Sequence, residues 1–101
     1  MPAYIISDVT IRDPNAIETY RTRAAASVAH YGGRYLVRGG TIEVLEGEWK
    51  PRTIIIAEFP DMDAARIWYR SSEYAQALEI RDRALNRNLI LVEGIASAND
   101  T

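Results

Sequence analysis

Cysteine is absent from all 101 residues. That absence excludes disulfide frameworks, thiolate metal sites and cysteine nucleophiles together. Histidine occurs once, as His30, so a single chain cannot assemble a multi-histidine metal site. No apolar run approaches the roughly 20 residues needed to cross a bilayer. The start, MPAYIISDVT, lacks the basic and apolar regions of a signal peptide, so a cytoplasmic protein that does not associate with membranes is expected. An excess of charge of one sign is also missing. Twelve Lys+Arg against fourteen Asp+Glu give −2, which excludes a polybasic nucleic-acid binder and leaves room only for a local basic patch. The glycine-containing stretch GGRYLVRGG lacks the G-x-G-x-x-G order and opens no helix. No Walker loop, H-E-x-x-H or G-x-S-x-G sequence is present either.

What remains is an ordinary globular composition, with 48% hydrophobic and 26% charged residues. The length suits one domain, expected over residues 1–96, with a flexible C-terminal tail over 97–101. Ala3 to Val9 reads as a strand. Asp13 and Pro14 then open a helix running to His30, with Ile17, Tyr20, Ala24, Val28 and Tyr31 on one stripe, and Gly32-Gly33 closes it. Tyr35–Arg38 and Thr41–Glu46 read as two halves of one strand, interrupted by a bulge or turn at Gly39-Gly40. Thr53 to Phe59 is the strongest strand signal. A second helical region follows in two parts, about Met62 to Arg70 and about Glu73 to Asn86, broken at SSEY. Leu89 to Ile95 is the last strand.

The order βαββαβ predicts a ferredoxin-like plait of α+β class: a four-stranded antiparallel sheet with two helices on one face. The strands TIIIAEF and LILV are apolar on both parities. Two helices cover only one face of a sheet, so the second face calls for a partner, and a homodimer through the sheet face is expected.

Few groups offer chemistry. Simple strand alternation sets Asp8 beside Tyr4 and Ile6, Arg38 beside Leu36, and Glu58 beside Ile54 and Ile56. Register decides whether these three charges converge into an anion- or proton-handling group or sit as ordinary ion pairs. His30, in the last turn of its helix, reads as a C-terminal capping residue. Trp68, Tyr69 and Tyr74 surround the helix break, where freed hydroxyls and backbone groups favour a pocket, although aromatics at helical spacing are also ordinary core. Arg81 lies two turns past Tyr74 and projects either toward the same mouth or into solvent. An RNA-binding plait would carry aromatic strand residues flanked by Lys/Arg, which are missing here.

The segments AYIISDVTIRDP, YGGRYLVRGGTIEVLEG, EFPDMDAARIWYRSSEYAQALEIRDRA and LVEG resemble the small bacterial family known as the domain of unknown function 1330, over roughly Ala3 to Gly94. The resemblance implies a dimeric α/β barrel, in which two ferredoxin-like protomers set their sheets face to face. Relatives of that fold include cofactor-free monooxygenases of aromatic polyketides, muconolactone isomerase and haem-dependent members. The family-typical positions are Arg38, Glu46, Phe59, Trp68, Tyr69, Ser72, Tyr74 and Arg81. Ser71-Ser72-Glu73 stands where the family often reads Ser-Pro-Glu, which softens the helix break. No cofactor or metal is expected, since the lone His30 forms no axial-ligand pattern. The resulting expectation is a small aromatic or acidic ligand. Arg38, Trp68, Tyr69, Ser72, Arg81 and Glu46 would bind it, and Tyr74 or Glu58 would handle a proton in isomerase- or monooxygenase-type chemistry. The alternative is a binding or structural homodimer without turnover.

Overall fold

A computed structural model describes residues 1–96. The elements are β1 (Ala3–Ile11), α1 (Pro14–His30), β2 (Arg34–Arg38), β3 (Thr53–Phe59), α2 (Met62–Tyr69), α3 (Ser72–Ala84) and β4 (Leu85–Glu93). The strands form one antiparallel sheet in the order β2-β3-β1-β4. This is the ferredoxin-like plait. The expected tail at 97–101 lies outside the described residues.

Each helix starts on a side-chain cap that satisfies an otherwise orphaned N–H. The Asp13 carboxylate accepts from the Asn15 amide at 2.9 Å, Asp61 from Ala64 at 2.8 Å and the Ser71 hydroxyl from Tyr74 at 3.1 Å. Two separate caps in the second helical region, Asp61 and Ser71, explain why it is two helices rather than one. Gly33 allows α1 to turn tightly into β2: a Cβ there would stand 2.7 Å from the Phe59 ring and 2.8 Å from Val28.

The inward face of the sheet carries Ala3, Ile5, Ser7 and Val9 of β1 and Ala57 and Phe59 of β3, all buried. Against it pack Ile17, Tyr20, Ala24 and Val28 of α1, Trp68 of α2, and Tyr74 and Ala77 of α3. The opposite face carries Ile6, Ile54, Ile56, Ile90 and Val92, and no element of the described chain forms a second layer over it.

Two expectations are corrected. Residues 41–46 form no strand: they leave the sheet after Arg38 and pair with nothing regular among the described residues. At Gly39-Gly40 the chain turns out of the sheet, with Gly39 at a φ of 76°, and the bulge is elsewhere. It lies within β2, where Tyr35 pairs with Ala57 and Val37 with Ile56, leaving Leu36 as the extra residue. The last strand begins at Leu85, four residues earlier than expected, because α3 passes directly into it. The bulge and the early start each change which side chains face inward.

Candidate functional site

Between the inward face of the sheet and the helices lies a cavity of about 490 Å³. Its walls are largely apolar, formed by Ile5, Val9, Ile17, Val28, Ile55 and Leu89 among others. Three arginines, Arg21, Arg38 and Arg87, also line it, and no aspartate, glutamate or histidine does so among the described residues.

The bulge at Leu36 accounts for Arg38. An extra residue inverts the alternation beyond it, so Arg38 pairs with Ile55 and turns inward, away from the face that simple alternation assigns it. Its guanidinium lies 4.4 Å from the centroid of the Tyr35 ring, within reach of a cation–π contact at the cavity wall. Burial pushes the Tyr35 phenol above its ordinary range, and the Arg38 charge opposes that rise.

Arg87 comes inward by β4 register. It pairs with Val9, two residues from Leu85 and Leu89 on the same parity. Its Nη1 donates to the Tyr20 hydroxyl at 2.5 Å and its Nη2 donates to the Tyr74 hydroxyl. The two phenol oxygens are 3.0 Å apart and hydrogen-bonded to each other. Two phenols carry two protons, and one of them fills the bond between the oxygens. The other O–H and the remaining guanidinium N–H groups are donors, so the cluster presents donors rather than acceptors. Burial first, then the neighbouring Tyr74 oxygen, pushes the Tyr20 phenol far above its usual range and keeps it neutral. Tyr74 itself has no exposed surface, and its hydroxyl lies beneath Arg87. Within 4.0 Å, neither Arg87 nor Arg38 meets a carboxylate among the described residues, whereas Arg21 pairs with Glu18 at 3.0 Å.

The floor is aromatic and rigid. Trp68 stacks obliquely on Tyr74 with centroids 4.2 Å apart and on Phe59 at 5.3 Å. Its indole N–H donates to the Ser27 hydroxyl at 3.0 Å, which fixes the ring.

Of the residues singled out from sequence, Arg38, Trp68 and Tyr74 meet at this cavity. The others lie elsewhere. Glu58 is on the open face, 2.9 Å from Arg34. Asp8 is on that face too, accepting from the Trp49 indole at 3.0 Å and the Arg52 amide at 3.3 Å. The three charges Asp8, Arg38 and Glu58 therefore do not converge. Tyr69 is exposed on α2, and Ser72 is exposed at the start of α3, bonded to Glu73. Arg81 pairs with Asp82 at 3.2 Å, and Glu46 is exposed in the loop after β2. His30 lies on the surface, 3.8 Å from Glu73 and outside the cavity. The Tyr31 hydroxyl donates to Glu73 at 2.6 Å, and this bond first of all holds the Glu73 carboxyl below its ordinary range.

The sequence reading missed Tyr20, Tyr35 and Arg87 as site residues. Tyr20 stands on the apolar stripe of α1, where helical spacing marks the ring for burial and says nothing of its hydroxyl. Arg87 lay before the expected start of the last strand, yet the alternation Leu85, Arg87, Leu89, Leu91 marks it as inward-facing.

The profile of the family described as Domain of unknown function (DUF1330) matches residues 2–95. The chain belongs to that family. Among solved structures, this DUF1330 chain is similar to RPA0582, a protein of unknown function from Rhodopseudomonas palustris. The two share 21% identity with a TM-score of 0.74, over 94% of this chain and 83% of that one. SnoaB, a cofactor-independent oxygenase from Streptomyces nogalater, aligns at 15% identity and a TM-score of 0.63, over 96% of both chains. A dimeric protein of unknown function and ferredoxin-like fold from Bacteroides fragilis aligns at 14% identity and a TM-score of 0.54, over 92% of this chain and 96% of that one. At these identities the likeness is one of fold. Comparison with curated proteins found no match. No helix among the described residues is long and apolar enough to cross a membrane.

Proposed function

We propose that this DUF1330 protein binds a small organic anion with an aromatic or otherwise planar body in the cavity between sheet and helices. The observation that carries the reading is Arg87: a half-buried guanidinium in an apolar cavity, held by two phenol oxygens and facing no carboxylate among the described residues. A partly desolvated cation without a counterion gains strongly from an anionic partner. Arg87 anchors the acidic oxygen, and Arg38 closes over it from the Tyr35 wall. Trp68 stiffens the floor. Tyr74, covered by Arg87, acts with Tyr20 as a positioning residue for the guanidinium.

The same arrangement suits chemistry on a substrate that ionises as it binds. No side chain on the cavity wall among the described residues is a base near neutral pH, since Tyr20 is held neutral and no carboxylate or imidazole is present. The substrate must bring its own acidic proton, as an enol or phenol does. Arg87 would then stabilise the oxyanion, for isomerisation through an enolate or for oxygenation of the kind named for SnoaB. In oxygenation a methylene of the substrate becomes a carbonyl: dioxygen supplies the carbonyl oxygen, and its second atom leaves as water with the two hydrogens lost from that carbon.

We further infer a homodimer through the open face of the sheet. Ile6, Ile54, Ile56, Ile90 and Val92 form a contiguous apolar surface there, and a second copy in face-to-face contact would cover it. The dimeric ferredoxin-like protein from Bacteroides fragilis supports this reading.

A thermal-shift screen with benzoates, phenols, enolic lactones and dicarboxylates tests the binding claim. A ligand at a hundredfold excess over its dissociation constant adds about 2.7 kcal/mol to the apparent stability of the folded protein. The expected result is a stabilising acid whose effect is lost in Arg87→Met and weakened in Arg38→Ala. A screen that is flat for acids, with both variants merely less stable, overturns it.

A further inference from the structure

We propose that residues 40–52, which leave the sheet after β2 and return at β3, form an arm that packs on a second copy of this chain. The inference rests on the homodimer reading above and adds to it a part of the interface that lies outside the sheet.

The segment TIEVLE, residues 41–46, has the β-branched, partly alternating pattern of a strand, yet it joins no sheet among the described residues. Its large apolar side chains stand in solvent. Leu45 is 85% exposed, Trp49 64% and Val44 47%. Three large apolar groups exposed within six residues are costly in water and characteristic of a contact surface.

The arm is nevertheless pinned at its base. The Gly39 amide donates to the Ile54 carbonyl at 2.9 Å. At the returning end, the Asp8 carboxylate accepts from both the Trp49 indole and the Arg52 amide. Asp8 belongs to the open face of the sheet, in register with Ile54 and Asn88. The arm's return is thus anchored on the same face as Ile54 and Ile56, which sets Trp49 beside that face.

Area argues for a second copy as the occupant. Four strands about 4.8 Å apart, paired over about seven residues at about 3.3 Å each, offer a footprint of about 400 Å². A stable interface covers about 800 Å² on each partner. An apolar arm on each copy adds Val44, Leu45 and Trp49 to the surface that a face-to-face pair can bury toward that size. Two-fold symmetry lets both arms act at once, each on the other protomer.

The two tryptophans make the test direct, because Trp49 is exposed and Trp68 is 3% exposed in the single chain. Acrylamide quenching of the wild type is measured across a dilution series whose oligomeric state is followed by sedimentation, with Trp49→Phe assigning the accessible component. The proposal expects a readily quenched component in the monomer that is protected in the dimer. It also expects Leu45→Asp to weaken dimerisation at least tenfold while the far-UV spectrum of the monomer is unchanged. A dimer in which Trp49 is quenched as in the monomer, or one that Leu45→Asp leaves intact, overturns the arm and spares the sheet-face dimer. A protein that stays monomeric at every concentration overturns both.

Discussion

Two phenol oxygens 3.0 Å apart, each accepting from one guanidinium, leave Arg87 little freedom to rotate away from the cavity. Removing either hydroxyl should therefore loosen Arg87 without removing its charge. Tyr20→Phe is expected to lower stability by about 1 kcal/mol, the usual net worth of one hydrogen bond, and to weaken anion binding less than Arg87→Met does. Urea melts and equilibrium titration of the two variants check this. The raised Tyr20 phenol also makes a pH claim. A group whose folded pKa lies above its unfolded value stabilises the fold fully below the unfolded value, here about 10, and loses that contribution as pH rises beyond it. Stability should accordingly fall above about pH 10, and Tyr20→Phe should flatten that fall. Thermal melts of both proteins between neutral and strongly alkaline pH provide the measurement; an identical alkaline fall in both would count against a buried neutral Tyr20. At this scale the sequence was only partly legible. Trp68 and Tyr74 were visible as aromatics at a helix break. Arg87 was hidden by a late strand boundary, and Tyr20 by its place in an apolar stripe. The polar end of a tyrosine is invisible to a pattern that scores only burial.

Helix ends and one bulge decide what the elements can present to the cavity. Ser71 receives the Tyr74 amide and donates its own hydroxyl to the Trp68 carbonyl at 2.7 Å, tying α2 to α3 directly beneath the aromatic floor. Ser71→Ala should cost about 1 kcal/mol, as loss of an N-cap does, and should disturb the environment of Trp68. Its near-UV dichroism and urea midpoint report the two effects separately. Gly33→Ala tests the tight α1–β2 turn. A methyl group 2.7 Å from the Phe59 ring cannot be accommodated without moving buried side chains, so a loss of about 1–3 kcal/mol is expected. A melt within about 0.5 kcal/mol of the wild type would contradict that close packing. Element order was fully legible from Pro14, Gly32-Gly33 and the Thr53–Phe59 run, because caps and β-branched runs act locally. The bulge was not, since an extra residue opposite Ile56 and Ala57 is a property of the pairing and leaves no mark in the β2 sequence alone. The strand expected at Thr41–Glu46 failed for the same kind of reason: propensity was present, but no strand among the described residues pairs with it.

The whole molecule is a sheet with helices on one face and an apolar surface on the other. Ile90 sits midway along the edge strand β4 on that surface, is 55% exposed and pairs with Ile6. Ile90→Asp should leave the fold of a single chain nearly unchanged, within about 0.5 kcal/mol, yet place a charge inside a face-to-face interface. Sedimentation is expected to show dissociation at concentrations where the wild type remains paired; equal association would argue that the sheet face is not buried. The two-sided apolarity of TIIIAEF and LILV made the apolar character of this face readable from the sequence, because apolar residues on both parities set apolar side chains on both faces of a strand. The cavity on the other side was not readable in that way, since its volume is set by how α1 and α3 stand off the sheet.

Charge recognition at Arg87 is tested most directly by one comparison. An aromatic carboxylic acid selected by the thermal screen is titrated against its own methyl ester, a neutral molecule of nearly the same shape, with wild type and Arg87→Met. A charge-assisted hydrogen bond is worth about 1.5–3 kcal/mol, or about 10- to 150-fold in affinity. The acid should bind at least tenfold more tightly than the ester to the wild type, and that preference should vanish in Arg87→Met. Equal affinity for acid and ester in the wild type, or a preference that survives the loss of Arg87, would contradict the account.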